Sequence, residues 1–98
     1  MKRLRIYERT ITVRTGYKKY PFKSKTQYIV CYGTSIVLKN DHSEDYRNPH
    51  LRIPFALPVE TRSKERVRNF VSKLGRSEDN KWLKNVLNKI LEEENNHE

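Results

Sequence analysis

The spacing of the apolar residues changes once along this chain, and that change constrains the fold more than any other feature. Up to residue 60, apolar and polar residues alternate in short runs, which is the period of a half-buried β-strand. After Thr61 the apolar residues recur every three or four positions, as in an amphipathic helix. Because the strands precede the helices, the sequence predicts an α+β fold: a small antiparallel β-sheet of about four to five short strands, followed by two C-terminal amphipathic helices packed on one face.

The predicted strands are 4–7, 11–14, 17–22, 26–32, 35–38 and 51–55. The apolar residues move from even to odd positions between Ile6 and Ile11. Either one strand with a bulge near residues 8–10 or two short strands would explain this shift. Pro21 and Pro54 cannot donate a backbone hydrogen bond, which confines their segments to sheet edges or to an irregular arm.

Two helices are predicted in the last third of the chain. The first begins at an N-cap, Thr61 or Ser63, and is stopped by Gly75 as the C′ residue. Its apolar stripe consists of Val67, Phe70, Val71 and Leu74. The second begins after the N-cap Ser77, and its apolar side consists of Trp82, Leu83, Val86, Leu87, Ile90 and Leu91.

The chain has 98 residues, of which 35% are hydrophobic, enough for one domain with a lean core. Residues 1–91 are predicted to form a single basic α+β domain. Residues 92–98 are predicted to be an acidic C-terminal tail that frays, because the helix dipole disfavours anions at this end. A homodimer interface would supply the apolar burial that such a core lacks, so a homodimer is also predicted.

The composition also bears on location. No apolar run approaches the roughly 20 residues of a membrane span, and none follows the basic N-terminus, so neither membrane insertion nor secretion is predicted. The composition is rich in Lys, Arg, Glu, Asn and Tyr, as in thermophilic archaea and their viruses. The expected location is therefore the cytoplasm, that of the host if the chain is virus-encoded.

Few residues suit a metal or a cofactor, and no cofactor is predicted. The single cysteine, Cys31, lies in an apolar run and is expected to pack as a small hydrophobe. The three histidines are scattered and match no zinc spacing. Residues 40–45, in a predicted polar loop 39–50, collect three carboxylates and His42, which could hold a divalent ion in a small nuclease. They lack the glycine and distal glutamate of a calcium loop, so a solvated loop is the preferred interpretation.

The net charge of +9 is unevenly distributed along the chain. Residues 1–39 carry +9 and residues 61–91 carry +6, whereas residues 40–60 carry −2 and residues 92–98 carry −4. Two basic segments are thus separated by an acidic one and followed by an acidic tail. Segregated charge of this kind produces a directed field, which favours a polyanionic partner such as DNA or RNA.

The first predicted helix carries a row of hydrogen-bond donors opposite its apolar stripe. The row consists of Arg62, Arg66, Asn69, Lys73 and Arg76. In a helix these residues would fall within about 80° of one another and extend over about 20 Å. Such a row could follow a phosphate backbone. A polar face that is merely solvated is the alternative interpretation.

The N-terminal half interleaves cations with aromatic residues. The predicted contact cations are Arg14, Lys18, Lys19, Lys23 and Lys25. The aromatic residues are Tyr7, Tyr17, Tyr20, Phe22 and Tyr28. Cations beside rings that stack on bases are typical of single-strand-binding surfaces, and a two-stranded ribbon with a basic tip also fits a groove. Alternatively, the rings belong to the core and the cations protect a sheet edge from aggregation.

These features predict a non-enzymatic nucleic-acid-binding protein that contacts DNA or RNA mainly through the backbone. A helix-turn-helix is disfavoured because the second helix opens with Glu78 and Asp79, at the end that would face phosphates. One alternative is a small inhibitor or adaptor of a mobile element or virus, which would use the same surface on an acidic protein partner. The other is a metal-dependent nuclease.

Overall fold

A computed structural model describes residues 1–38 and 54–96. The elements are strands β1 (Leu4–Arg14), β2 (Phe22–Tyr32), β3 (Ser35–Leu38) and β4 (Ala56–Thr61) and helices α1 (Lys64–Lys73) and α2 (Glu78–Asn96). The strands form one antiparallel sheet in the order β3-β2-β1-β4. The predicted α+β fold, a sheet followed by two C-terminal helices, is therefore confirmed. The predicted loop 39–50, and with it the acidic segment 40–45, lies outside the described residues.

Strand β1 pairs with β2 in one uninterrupted register, from Leu4 opposite Tyr32 to Arg14 opposite Phe22. The prediction of a bulge in β1, or of two short strands, was therefore wrong. The shift in apolar parity arises because β1 buries opposite faces at its two ends. Leu4 and Ile6 are buried on one face, and Ile11 and Val13 are buried on the other.

The sheet's irregularity lies between β1 and β4. Ile6 is opposite Val59 but Glu8 is opposite Ala56, so three steps along β4 match two steps along β1. The extra residue therefore belongs to β4, at the segment that contains Pro58. A proline has no N–H to donate to the ladder, and a bulge is one of the few places where a strand accommodates it.

Strand β4 was not predicted. The sequence interpretation placed a strand at 51–55, but Pro54 and Phe55 lie before β4, which begins at Ala56. Residues 51–53 lie outside the described residues. Because Thr61 was interpreted as a possible helix N-cap, the alternation of Val59 and Thr61 onto one face was missed. Of the two alternatives for segment 17–22, an edge strand or an irregular arm, the irregular one is observed, since only Phe22 belongs to a strand.

Both helices pack on one face of the sheet, which is called the helix face below; the opposite side is called the back face. The main core consists of Leu4, Ile6, Tyr28, Val30, Val67, Leu83, Leu87, Ile90 and Leu91. The apolar positions predicted for the second helix form its packed side, with four buried and Trp82 and Val86 packed against them. Neither helix in the described part of the chain has both the length and the apolar character needed to cross a bilayer.

The helix starts follow the predicted capping chemistry. Ser63 is the N-cap of α1, and its Oγ accepts a hydrogen bond from the Arg66 amide at 3.4 Å. The Oγ of Ser77 accepts from the Asn80 amide at 3.2 Å at the start of α2. The end of α1 differs from the prediction, because the chain turns extended at Leu74 and Gly75 has no positive φ. A Cβ at Gly75 would lie 3.3 Å from Asn80 Nδ2, so close approach to α2 is what favours glycine there.

The centre of the main core is expected to carry much of the stability. Leu83 is fully buried between α2 and the sheet, so Leu83→Ala removes apolar contacts and leaves a cavity. The expected loss is about 2–5 kcal/mol of unfolding free energy, measured by urea denaturation. The matched control, Lys89→Ala on the exposed side of α2, should change stability by less than about 0.5 kcal/mol. Equal effects of the two substitutions would contradict this packing.

A hydrogen bond between distant parts of the chain fixes the start of α2 on the sheet. The Tyr28 hydroxyl donates to Asn80 Oδ1 at 2.9 Å, across 52 positions of sequence. Burial raises the pKa of the Tyr28 hydroxyl above its usual value, and the negative charge of Glu8 adds to the effect. The folded protein therefore opposes ionisation of this residue.

Substitution of Tyr28 by Phe should consequently have a pH-dependent cost. Near neutral pH the lost hydrogen bond is expected to cost about 1 kcal/mol. The advantage of the wild type should shrink as pH rises above about 10, since its raised folded pKa means that stability is lost on ionisation and Phe cannot ionise. Urea denaturation at both pH values, with exposed Tyr17→Phe as control, tests this. A difference between wild type and variant that stays constant with pH would contradict it.

Candidate nucleic-acid interface

The long β1–β2 hairpin extends past the outer strands of the sheet. The pairing of β4 ends at Glu8 and the pairing of β3 ends at Ile29, whereas β1 and β2 continue to Arg14 and Phe22. We call residues 9–27 the hairpin arm. The arm contains six Lys or Arg residues and no Asp or Glu. In the described sheet it is therefore a two-stranded, uniformly cationic ribbon.

The tip of the arm is organised by one threonine. The Thr15 hydroxyl accepts a hydrogen bond from the Tyr17 amide at 3.1 Å and donates one to the Tyr20 carbonyl at 2.5 Å. The Thr15 amide also donates to the Pro21 carbonyl at 3.0 Å. Gly16 has a φ of +83°, a value that glycine adopts without the penalty that other residues incur. The loop therefore has a defined backbone conformation, although its side chains are exposed.

The register separates the predicted arm cations onto different surfaces. Arg14 and Phe22 are directly opposite one another on the helix face of the sheet, beyond the region where the helices pack. Lys23 and Lys25 are opposite Val13 and Ile11, on the back face. Lys18 and Lys19 lie in the tip loop. All are exposed except Lys25, which is half-buried.

The aromatic residues divide into structural and exposed rings. Tyr28 is buried and bonded to Asn80, and Tyr7 is half-buried, with its hydroxyl accepting from Arg5 Nη1 at 3.4 Å. The core interpretation is therefore correct for Tyr28, whereas Tyr7 belongs to neither core cluster. The exposed rings are Tyr17 at 74%, Tyr20 at 69% and Phe22 at 55% of their reference surface. These three lie within or next to the tip loop, beside Lys18 and Lys19.

Three of the N-terminal arginines make internal contacts. Arg3 forms an ion pair with Glu60, and Arg5 donates to Tyr7. Arg9 Nε donates to Gln27 Oε1 at 2.8 Å, and its guanidinium lies 4.3 Å from the centre of the Phe55 ring. These cations therefore stabilise the body of the sheet, and the more exposed charge is concentrated toward the end of the arm.

The second cationic surface surrounds α1. All five predicted residues of its row are exposed. The helix itself has 10 residues, so the helical spacing holds for Arg66, Asn69 and Lys73, whereas Arg62 precedes the N-cap and Arg76 follows the end of the helix. Arg68 is a further exposed cation on α1 that the sequence interpretation missed, because that interpretation followed one stripe of the helix.

Helix α1 lies on the helix face of the sheet, as does Arg14 of the arm, whereas Lys23 and Lys25 lie on the back face. Helix α1 follows Thr61, which is opposite Leu4 at the end of the sheet far from the arm. The loop after α1 approaches Asn80, which bonds Tyr28 opposite Glu8, near the base of the arm. The chain from α1 into this loop thus runs toward the arm. The cationic row around α1 and the hairpin arm therefore lie one after the other along the direction of the β1 and β2 strands.

Side chains that could bind a metal ion or act in catalysis are the remaining candidate groups. In residues 1–38 and 54–96 no three His, Cys, Asp or Glu side chains are grouped so that they could hold a metal ion. Cys31 is a buried free cysteine, as its apolar surroundings in the sequence predict. At the start of α2, Glu78 is exposed and Asp79 is buried with an interaction of its own.

No protein-family model, curated protein or solved structure matches this chain. The function of the protein is therefore inferred from the charge, exposure and hydrogen bonding of its own residues.

The role of Thr15 in the tip can be tested by Thr15→Val, which keeps the shape of the side chain and removes its hydroxyl. Two hydrogen bonds to the tyrosine backbones are lost, so the loop should open more often. Trypsin cleavage after Lys18 and Lys19 should accelerate by about fivefold, which corresponds to about 1 kcal/mol. The control Thr12→Val makes the same change at an exposed position of the same ribbon. Similar cleavage of both variants would show that Thr15 does not hold the loop.

Proposed function

We propose that this protein is a non-enzymatic nucleic-acid-binding protein that holds the phosphate backbone through the arm tip and the cationic surface around α1. The contacts are those of Arg14, Lys18, Lys19, Lys23 and Lys25 in the arm and of Arg62, Arg66, Asn69, Lys73 and Arg76 around α1. The observation that carries the proposal is the arm, in which six cations and no acid are placed on a ribbon that extends past the outer strands of the sheet.

Within residues 9–27, six cations are present and no acid offsets them. An unbalanced set of like charges on one short ribbon repels itself, and this repulsion would be relieved by an anionic partner. Two acids of the described residues lie near other partners. Glu8 lies in the paired sheet beside Tyr28, and Glu60 forms an ion pair with Arg3 at the other end of β1.

The chemistry of these surfaces suits phosphate contacts. Lysine and arginine side chains displace counterions from nucleic acids, and Asn, Ser and Thr donate hydrogen bonds to phosphate oxygens. The helix face of the arm adds exposed Thr10, Thr12 and Ser24 to Arg14. The arm contains neither a histidine nor a carboxylate that could act as a general acid or base, so binding without chemistry is the function proposed.

The test compares three triple alanine variants that each remove three positive charges. The helix variant changes Arg62, Arg66 and Lys73, the arm variant changes Lys18, Lys19 and Lys23, and the control variant changes Lys81, Lys84 and Lys89 on α2. Fluorescence anisotropy with labelled DNA and RNA, single- and double-stranded, is measured at several salt concentrations. The helix and arm variants should each bind at least about tenfold more weakly at low salt, and the slope of log K against log salt should fall by roughly 0.7–0.9 per lost contact.

The control variant separates a dedicated surface from net charge. If the three variants lose the same affinity, binding follows overall charge and the proposed surface is wrong. If the wild type binds no nucleic acid even at low salt, the proposal fails entirely, and an acidic protein partner becomes the better account of the charge.

A further inference from the structure

The arm tip combines exposed rings with exposed cations in one short loop. Tyr17, Tyr20 and Phe22 are more than half exposed, in a chain whose other described large aromatic side chains are buried or half-buried. Exposed rings cost hydration free energy without contributing to the core. Lys18 and Lys19 lie between the two tyrosines in sequence, and Arg14 is directly opposite Phe22. The tip therefore offers both flat apolar faces and positive charge to a single partner.

The backbone that carries the two tyrosines is already ordered. The Thr15 hydroxyl is bonded to the backbones of both Tyr17 and Tyr20, so one side chain fixes where the two rings leave the loop. Pro21 adds a fixed φ between Tyr20 and Phe22. Lys19 Nζ lies 5.9 Å from the centre of the Tyr20 ring, which places charge beside a ring. A loop ordered in this way loses less entropy when a ligand binds to it.

We infer that the arm tip recognises unpaired bases, so that the substrate class is single-stranded DNA or RNA, with Tyr17, Tyr20 and Phe22 stacking on bases while the neighbouring cations hold the phosphates. This inference rests on the proposed function and specifies its substrate. Stacking on aromatic side chains is sequence-tolerant because every base has a π-face, and it alternates naturally with phosphate contacts along one strand.

A duplex would use these residues poorly. Paired bases are stacked on one another, so rings at the tip could reach them only by unstacking a base step, which costs a few kcal/mol. A groove-binding ribbon would instead present polar side chains for base edges and would gain nothing from three exposed rings. Charge complementarity alone would suit either form, and the rings are what favour the single strand.

The test uses a labelled oligothymidylate and a strand of equal length in which every base is replaced by an abasic site. The two strands have the same phosphates, so a difference in affinity measures the contribution of bases. Wild-type protein should prefer the oligothymidylate by at least about fivefold, the lower end expected for one stacked base. A matching oligouridylate distinguishes RNA from DNA, and a duplex of the same length gives the double-stranded comparison.

The variants distinguish the contribution of the aromatic rings to binding from the contribution of the cations. Tyr17→Ala/Tyr20→Ala/Phe22→Ala should abolish the preference for bases and leave the salt dependence unchanged, because all cations remain. Tyr17→Phe/Tyr20→Phe keeps the rings and should retain the preference. The arm variant Lys18→Ala/Lys19→Ala/Lys23→Ala should show the reverse, with a smaller salt dependence and a preserved preference. Circular dichroism and thermal unfolding confirm that each variant is folded.

Two results would overturn the inference while leaving nucleic-acid binding in place. One is equal wild-type affinity for the oligothymidylate and the abasic strand, a comparison that needs no variant. The other is a base preference that survives removal of all three rings. A wild type that binds neither strand nor duplex would overturn both the inference and the proposed function.

Discussion

In an antiparallel strand pair, one register decides the face of every residue, and this protein keeps a single register over the eleven pairs that join β1 to β2. The rest of the structure depends on that pairing. The base of the hairpin presents Leu4, Ile6, Tyr28 and Val30 to the helices. The outer end, with no change of register, presents Ile11 and Val13 to the back face and leaves Arg14 and Phe22 exposed on the helix face. One strand pairing thus forms both the scaffold, which is the part of the sheet that packs against the helices, and the hairpin arm.

The neighbours of the hairpin determine where scaffold ends and arm begins. Strand β3 pairs with only four residues of β2, and β4 leaves β1 after the bulge that contains Pro58. The helices lie over the part of the sheet that these outer strands widen, because a wider sheet offers more apolar surface to cover. The cationic residues of the tip are therefore separated from the main core.

Much of the fold could be predicted from sequence, because the signals were local. The capping serines Ser63 and Ser77 mark the helix starts by chemistry within three residues of each. Strand β3 was predicted at its observed bounds, next to a glycine with positive φ, Gly33. The shift in apolar parity in β1 was misread because period-two patterning reports which face is buried, and two different faces are buried here. The extent of the arm was not predictable, since it depends on where other strands stop.

In the candidate site, too, some features could be predicted from the sequence and others could not. Segment charge and exposed cations followed from composition, because charged residues usually remain at the surface. Which rings are exposed did not follow, since Tyr28 is buried and bonded to Asn80, 52 positions away, while Tyr17 and Tyr20 are exposed. The role of Thr15 likewise could not be predicted, because its bonds to both tyrosine backbones require the closed loop geometry.

Ile11 and Val13 form a cluster apart from the main core, so β1 contributes to two packed clusters on opposite faces of the sheet. We therefore expect amide protons near Leu4 and Ile6 to exchange with solvent more slowly than those of the outer pairs. Local opening of the arm would then leave the main core packed, and the body of the domain would still set the direction in which the arm points.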